Sequence, residues 1–118
     1  EEGHDPLSQG GGNVVMGLDS STGATLWSYR PSKPVWNFAP LFTKDNRVVF
    51  MDFSGGMYSV GLHNGTLQWH TPAAKDDFSF SDGGATLGPL DDVYSCSNPT
   101  GARGGEGTKG LIRRISVS

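Results

Sequence analysis

Few side chains in this 118-residue chain are of a type and spacing that could do chemistry. Two acidic pairs, Asp76/Asp77 and Asp91/Asp92, are the nearest approach to a cation site, and His4, His63 and His70 are the candidates for metal ligation or proton transfer. A hard cation needs several converging oxygen ligands. Each acidic pair instead flanks a strand in a turn-like setting, so both are expected to be solvated turn carboxylates. None of the histidines has a Cys or His at ligand spacing, and His70, next to Trp69, is expected to be exposed on an outer strand. Cys96 is the single cysteine, which excludes an intrachain disulfide and a thiolate cage. A reactive thiol needs a nearby cation or a helix N-terminus, so Cys96 is expected to be a small buried strand residue. No catalytic residue and no metal ligand is assigned.

Two further stretches invite a chemical reading. GARGGEG, residues 101–107, has the glycines of a phosphate-binding loop but lacks the terminal Gly-Lys-Ser/Thr, and no helical pattern follows it. It is expected to be an inter-strand loop. Loops of that kind carry binding residues, which makes Arg103, Glu106 and Lys109 candidates for an interaction surface. Asn64-Gly65-Thr66 fits the N-glycosylation acceptor pattern in a secretory context, and equally fits a two-residue Asn-Gly hairpin turn.

The remaining polar cluster is Asp19, Ser20, Ser21 and Thr22 in LDSSTGATLW, beside Trp27. A looser version, VGLHNGTLQW, ends at Trp69. Gly23 and Gly65 lie 42 residues apart, as do Trp27 and Trp69 (65 − 23 and 69 − 27). No helix or strand periodicity has so long an offset, so the spacing points to a repeated supersecondary unit. The turn glycines supply positive φ, while Asp and Thr side chains can bond turn amides. The cluster is therefore expected to be structural, aiming a tryptophan rather than performing catalysis.

The surrounding elements agree. Eighteen glycines, 35% apolar and 18% charged residues suit short strands and tight turns rather than helices. Nowhere do apolar residues recur at i, i+3, i+4 and i+7 over a long segment. A net charge of −3 without a basic patch offers no footprint for nucleic acid, and no apolar run approaches the roughly 20 residues of a membrane-spanning helix.

Residues 1–12 are expected to form a flexible arm. Residues 13–30 read as a hairpin (NVVMGL, turn, ATLWSYR), 31–72 as a complete four-strand unit (VWNFAPLF, RVVFMDF, MYSVGL, TLQWHTP), and 73–118 as an incomplete third (GATLGPL, DDVYSCS, LIRRISVS). In RVVFMDF both alternating faces are largely apolar, as expected of a strand covered on both sides. The third unit aligns with the second at an offset of 45 on its middle strand (48 to 93) and 55 on the next (60 to 115).

A four-stranded antiparallel unit of about 40 residues with one aromatic motif per unit is the signature of a β-propeller blade. VVFMDFSGGMYSVGLHNGTLQW, with Asp19, Thr22, Gly23 and Trp27 in the first copy and Gly65 and Trp69 in the second, resembles the PQQ-like (quinoprotein dehydrogenase-like) repeat over roughly residues 13–118. Gly61 and Asn64 replace the Asp and Thr of the motif in the second copy. The resemblance implies an all-β, partial β-propeller of four-stranded antiparallel blades, in which each tryptophan docks on the neighbouring blade.

Propellers close with about four to eight blades, so two to three blades are expected to need the remainder of a longer propeller chain or a protein partner. The function implied is a non-catalytic interaction scaffold or subunit of a larger assembly, with no cofactor of its own. The alternative is a fragment of a PQQ-dependent alcohol or sugar dehydrogenase whose catalytic residues lie outside this chain, and only then would PQQ and calcium be involved. A periplasmic, secretory or organelle-lumen setting is implied by the resemblance alone.

Overall fold

The chain's structure, a computed structural model, describes residues 12–73, 81, 84–97 and 110–116. Those residues are all-β, and no helix occurs among them. Sheet 1 is the hairpin β1 (Val15–Leu18) and β2 (Thr25–Tyr29). Sheet 2 is a four-stranded meander of β3 (Leu41–Phe42), β4 (Arg47–Met51), β5 (Met57–Gly61) and β6 (Leu67–Thr71). Sheet 3 contains β7 (Ala85–Leu87), β8 (Val93–Ser97) and β9 (Leu111–Ile115). All neighbouring strands are antiparallel, and the three sheets do not close into a barrel. This is the arrangement expected of partial propeller-like blades.

Antiparallel sheets usually have a dry and a wet face; in sheet 2 the central strands β4 and β5 are covered on both. Toward sheet 1 it presents Val48, Phe50, Tyr58 and Val60, which pack with Val15, Trp27 and Val35. Toward sheet 3 it presents Val49, Met51 and Met57, which pack with Val93 and the half-buried Leu41, Trp69, Leu87 and Ile115. The double alternation in RVVFM thus fills two joints between sheets. Burial at about 25 cal/mol per Å² of apolar surface makes these joints the main favourable term holding the sheets together.

The hairpins β1–β2 and β5–β6 correspond position by position at the 42-residue offset. Each carries a bulge, between Gly17/Leu18 and between Ser59/Val60. Their turns have glycines at φ +72° (Gly23) and +66° (Gly65). Matching backbone bonds close them: Gly23 N–H to Asp19 O and Gly65 N–H to Gly61 O, both 2.8 Å, with Asp19 N–H to Ala24 O and Gly61 N–H to Thr66 O, also both 2.8 Å. In sheet 3, Val93 opposite Ile115 repeats the pairing of Val48 opposite Val60, which fits offsets of 45 and 55.

The expected strand over VWNFAPLF is shorter than its apolar content suggests. Only Leu41–Phe42 pair with β4, while Val35 makes an isolated antiparallel bridge with Gly12. Asn37 sits at φ +48° and Pro40 has no amide hydrogen, so the ladder cannot run through the segment. Residues 1–11 and the FSF segment, 78–80, lie outside the described residues.

Candidate functional site

The turn between β1 and β2 is a hydrogen-bonded knot. Asp19 Oδ1 accepts from the backbone of Ser21 (2.9 Å) and Thr22 (2.8 Å) and from the Thr22 hydroxyl (3.0 Å). Thr22 Oγ1 in turn accepts from Ala24 N–H at 3.2 Å. These donors hold the Asp19 carboxyl below the usual carboxylate range. Gly23 then takes the left-handed conformation, and the chain enters β2 with Trp27 on the face toward sheet 2.

Trp27 is buried between two glycines. Gly17, its cross-strand partner, lies so close that a Cβ there would collide with the indole nitrogen and Cε2. On the other side, a Cβ on Gly65 would stand 2.6 Å from indole Cε3. Trp27 Nε1 donates to Leu62 O at 2.8 Å. One residue of sheet 1 is thus packed on, and bonded to, the β5–β6 turn of sheet 2.

Trp69 is placed differently. It is half-buried against the sheet 2–sheet 3 cluster, opposite Ser59 rather than a glycine, and its Nε1 has no hydrogen-bond partner among the described residues. Asn64 is exposed and uses Oδ1 to accept from Thr66 N–H at 3.0 Å, which pins the turn that seats Trp27. Arg103, Glu106 and Lys109 lie outside the described residues.

A buried polar cluster sits at the opposite end of sheet 2 from that turn. Asp52 is 2% exposed. Its Oδ1 accepts from Ser54 N–H and Gly56 N–H, both at 2.9 Å, and its Oδ2 from the Tyr58 hydroxyl at 2.8 Å. The Tyr58 proton is committed to the carboxylate, so the Ser32 hydroxyl is the donor in its 2.6 Å contact with Tyr58 Oη. Ser32 N–H also donates to that oxygen, at 3.1 Å. Burial raises the Asp52 carboxyl above the ordinary range against the pull of these donors, and pushes Tyr58 up to about 12.

His70 is exposed and stacks on Tyr58, with ring centroids 4.3 Å apart and planes 12° from parallel. Phe50 stacks on the Tyr58 ring as well, at 5.2 Å and 11°. A cavity of about 340 Å³ opens beside the cluster, lined by Ser32, Lys33, Asp52, Ser54, His70 and Pro72. The Ser32 hydroxyl donates to a phenol and not to a base, so it is not set up as a nucleophile. The three bonds to Asp52 hold the β4–β5 turn and Tyr58 together, and the two Ser32 bonds to Tyr58 Oη tie that unit to the segment linking sheet 1 to sheet 2.

Arg113 stands at the matching position in sheet 3. It donates from Nη1 to Pro72 O at 2.8 Å and from Nη2 to Gly55 O, reaching the β4–β5 turn and the segment after β6. Asp52 and Arg113 therefore act on the same turn from opposite sides.

Two expectations are corrected. Asp92 is buried, not a solvated turn carboxylate: Arg114 Nε donates to its Oδ2 at 2.6 Å and Nη2 pairs with the same oxygen. Cys96 is exposed, not buried, because β8 alternates and Cys96 falls with Tyr94 on the face turned away from sheet 2. Among the described residues no group of three or more His, Cys, Asp or Glu could hold a metal ion, and no helix is long and apolar enough to cross a membrane. No family model matches the chain, and no curated protein matches it.

Proposed function

We propose that the chain is a non-catalytic segment of a PQQ-like β-propeller whose role is to stack sheet on sheet, as an interaction scaffold or a subunit of a larger assembly. The observation that carries this reading is the unequal treatment of corresponding faces. Val49, Met51 and Met57 of sheet 2 are covered by sheet 3. Their counterparts in sheet 3, at offsets of 45 and 55, are Tyr94, Cys96 and Ile112, and Ile112 is 76% exposed. At the other end Met16, Leu18 and Leu26 of sheet 1 are 54%, 53% and 60% exposed. Large apolar side chains left open on sheet faces mark interaction surfaces.

The polar cluster supports the same assignment. Asp52, Tyr58 and Arg113 spend their hydrogen bonds on connecting segments of this chain, which is the work of a joint. The test is isolation of the full-length protein that carries this chain, under conditions that preserve complexes. A stoichiometric protein partner, or further sheets of the same polypeptide protecting Ile112 and Met16 from hydroxyl-radical labelling, is the expected result. Strong labelling of both residues in the intact protein, or calcium-dependent quinone binding by this segment, would overturn it.

A further inference from the structure

The two open faces are the two halves of one joint. At the 42-residue offset, Met16 and Leu18 correspond to Tyr58 and Val60, the residues with which sheet 2 meets sheet 1. On sheet 3, Tyr94, Cys96 and Ile112 correspond to Val49, Met51 and Met57, the residues with which sheet 2 meets sheet 3. One end of the chain therefore presents a leading face and the other a trailing face, and the chain has already solved their packing twice internally. Between Thr86, Tyr94, Cys96 and Ile112 the trailing face has a depression of about 340 Å³ able to take aliphatic side chains.

We infer that the chain associates head to tail with a second copy of itself, Met16, Leu18 and Leu26 of one copy seating on Tyr94, Cys96 and Ile112 of the next. This rests on the sheet-stacking reading above and gives it a specific partner. The contact is heterologous, since different patches meet, so it either closes into a ring or continues as a filament. It lacks one part of the internal joint. Gly23 offers the seat that Gly65 gives Trp27, with nothing within 4 Å of where its Cβ would stand, but none of the described strands of sheet 3 holds a tryptophan to fill it. The copy-to-copy joint is thus apolar contact without the indole and its hydrogen bond, and is reversible and concentration dependent.

The test uses the 118-residue chain and two surface variants, Met16→Lys/Leu18→Lys and Ile112→Lys, whose replaced side chains are exposed. Light scattering across a dilution series is expected to give masses of two or more chains for the unaltered protein at high concentration, and one chain for each variant alone. Mixed in equal amounts the variants are expected to form a 1:1 dimer, because each retains the face that the other lacks. A monomer throughout, or a mixture that stays monomeric, would overturn the proposal. Ready Cys96–Cys96 disulfide formation across the dimer would also overturn it, since that requires two trailing faces to meet. If the chain is monomeric alone but the parent protein still protects Ile112 and Met16, self-association fails while the stacking role stands.

Discussion

The indole nitrogen of Trp27 donates to the carbonyl oxygen of Leu62 at 2.8 Å, joining two sheets that share no strand. The ring is buried and touches the Gly65 turn, so this residue combines apolar burial with a directed bond. Trp27→Ala is expected to lower stability by about 3–5 kcal/mol, the usual range for a buried aromatic. Trp27→Phe keeps part of the packing and leaves the Leu62 carbonyl without this donor, a smaller loss of about 1–2 kcal/mol. Trp69→Ala should fall below Trp27→Ala, since Trp69 is half-buried and its Nε1 makes no bond among the described residues. Denaturant unfolding of the three variants checks the order, and equal midpoints for Trp27→Ala and Trp69→Ala would refute it.

Gly23 and Gly65 have nearly the same φ but different surroundings. At Gly23 a methyl group meets open space, while at Gly65 it would meet the Trp27 ring at 2.6 Å. Gly23→Ala should therefore cost only the left-handed backbone penalty, about 1–2 kcal/mol. Gly65→Ala should cost more, and the excess should vanish when Trp27→Ala is introduced as well, as a double-mutant cycle would measure. An excess that persists without the indole would place the strain elsewhere.

Much of this architecture is legible in the sequence, for identifiable physical reasons. Positive-φ glycines, alternating apolar residues and a fixed 42-residue offset are local signals, so the hairpins and the two-faced strand β4 can be read directly. The polar ties cannot, because their partners are distant: Tyr58 reaches Ser32 across 26 positions and Arg113 reaches Gly55 across 58. Within the sequence Asp52 is simply one polar position in an apolar strand. Asp92 is buried by the same kind of distant tie, to Arg114 across 22 positions, whereas Cys96 shows a different limit. Alternation separates the two faces of β8 without saying which is covered, and that depends on where the sheet sits in the stack.

The Tyr58 hydroxyl gives the joint a dependence on alkaline pH. Its pKa is pushed up to about 12 by burial, from 10.0, so the native state holds this proton after the unfolded chain has lost it. The contribution is fully present below about pH 10 and is lost as pH rises toward 12. Within that window stability should fall by about 1.4 kcal/mol per pH unit from this group. Tyr58→Phe is expected to remove this dependence, and at neutral pH to cost about 1–3 kcal/mol by leaving Asp52 Oδ2 short of a donor. Absorbance near 295 nm should lose the latest-titrating phenol in the variant, while Tyr29, which burial also raises, continues to titrate in both proteins. A Tyr58→Phe protein with the same alkaline stability profile as wild type would exclude the assignment.

Arg113 offers a test of whether sheet 3 is held by a directed tie or by apolar contact alone. Its guanidinium bonds two carbonyl oxygens of sheet 2 and its connections, at Pro72 and Gly55, a geometry that the single ammonium of lysine cannot reproduce. Arg113→Lys and Arg113→Met should therefore both loosen sheet 3, by about 1–3 kcal/mol, despite the first preserving charge and the second preserving much of the stem. Hydrogen exchange locates the effect. Amides of β8 and β9 should lose protection, whereas those of β1 and β2, which pack on the far side of sheet 2, should keep theirs. If Arg113→Lys leaves β8 and β9 as protected as in the wild type, charge alone suffices and the two-carbonyl tie is not what holds the third sheet. If protection falls equally in β1 and β2, the three sheets open as one cooperative unit rather than joint by joint.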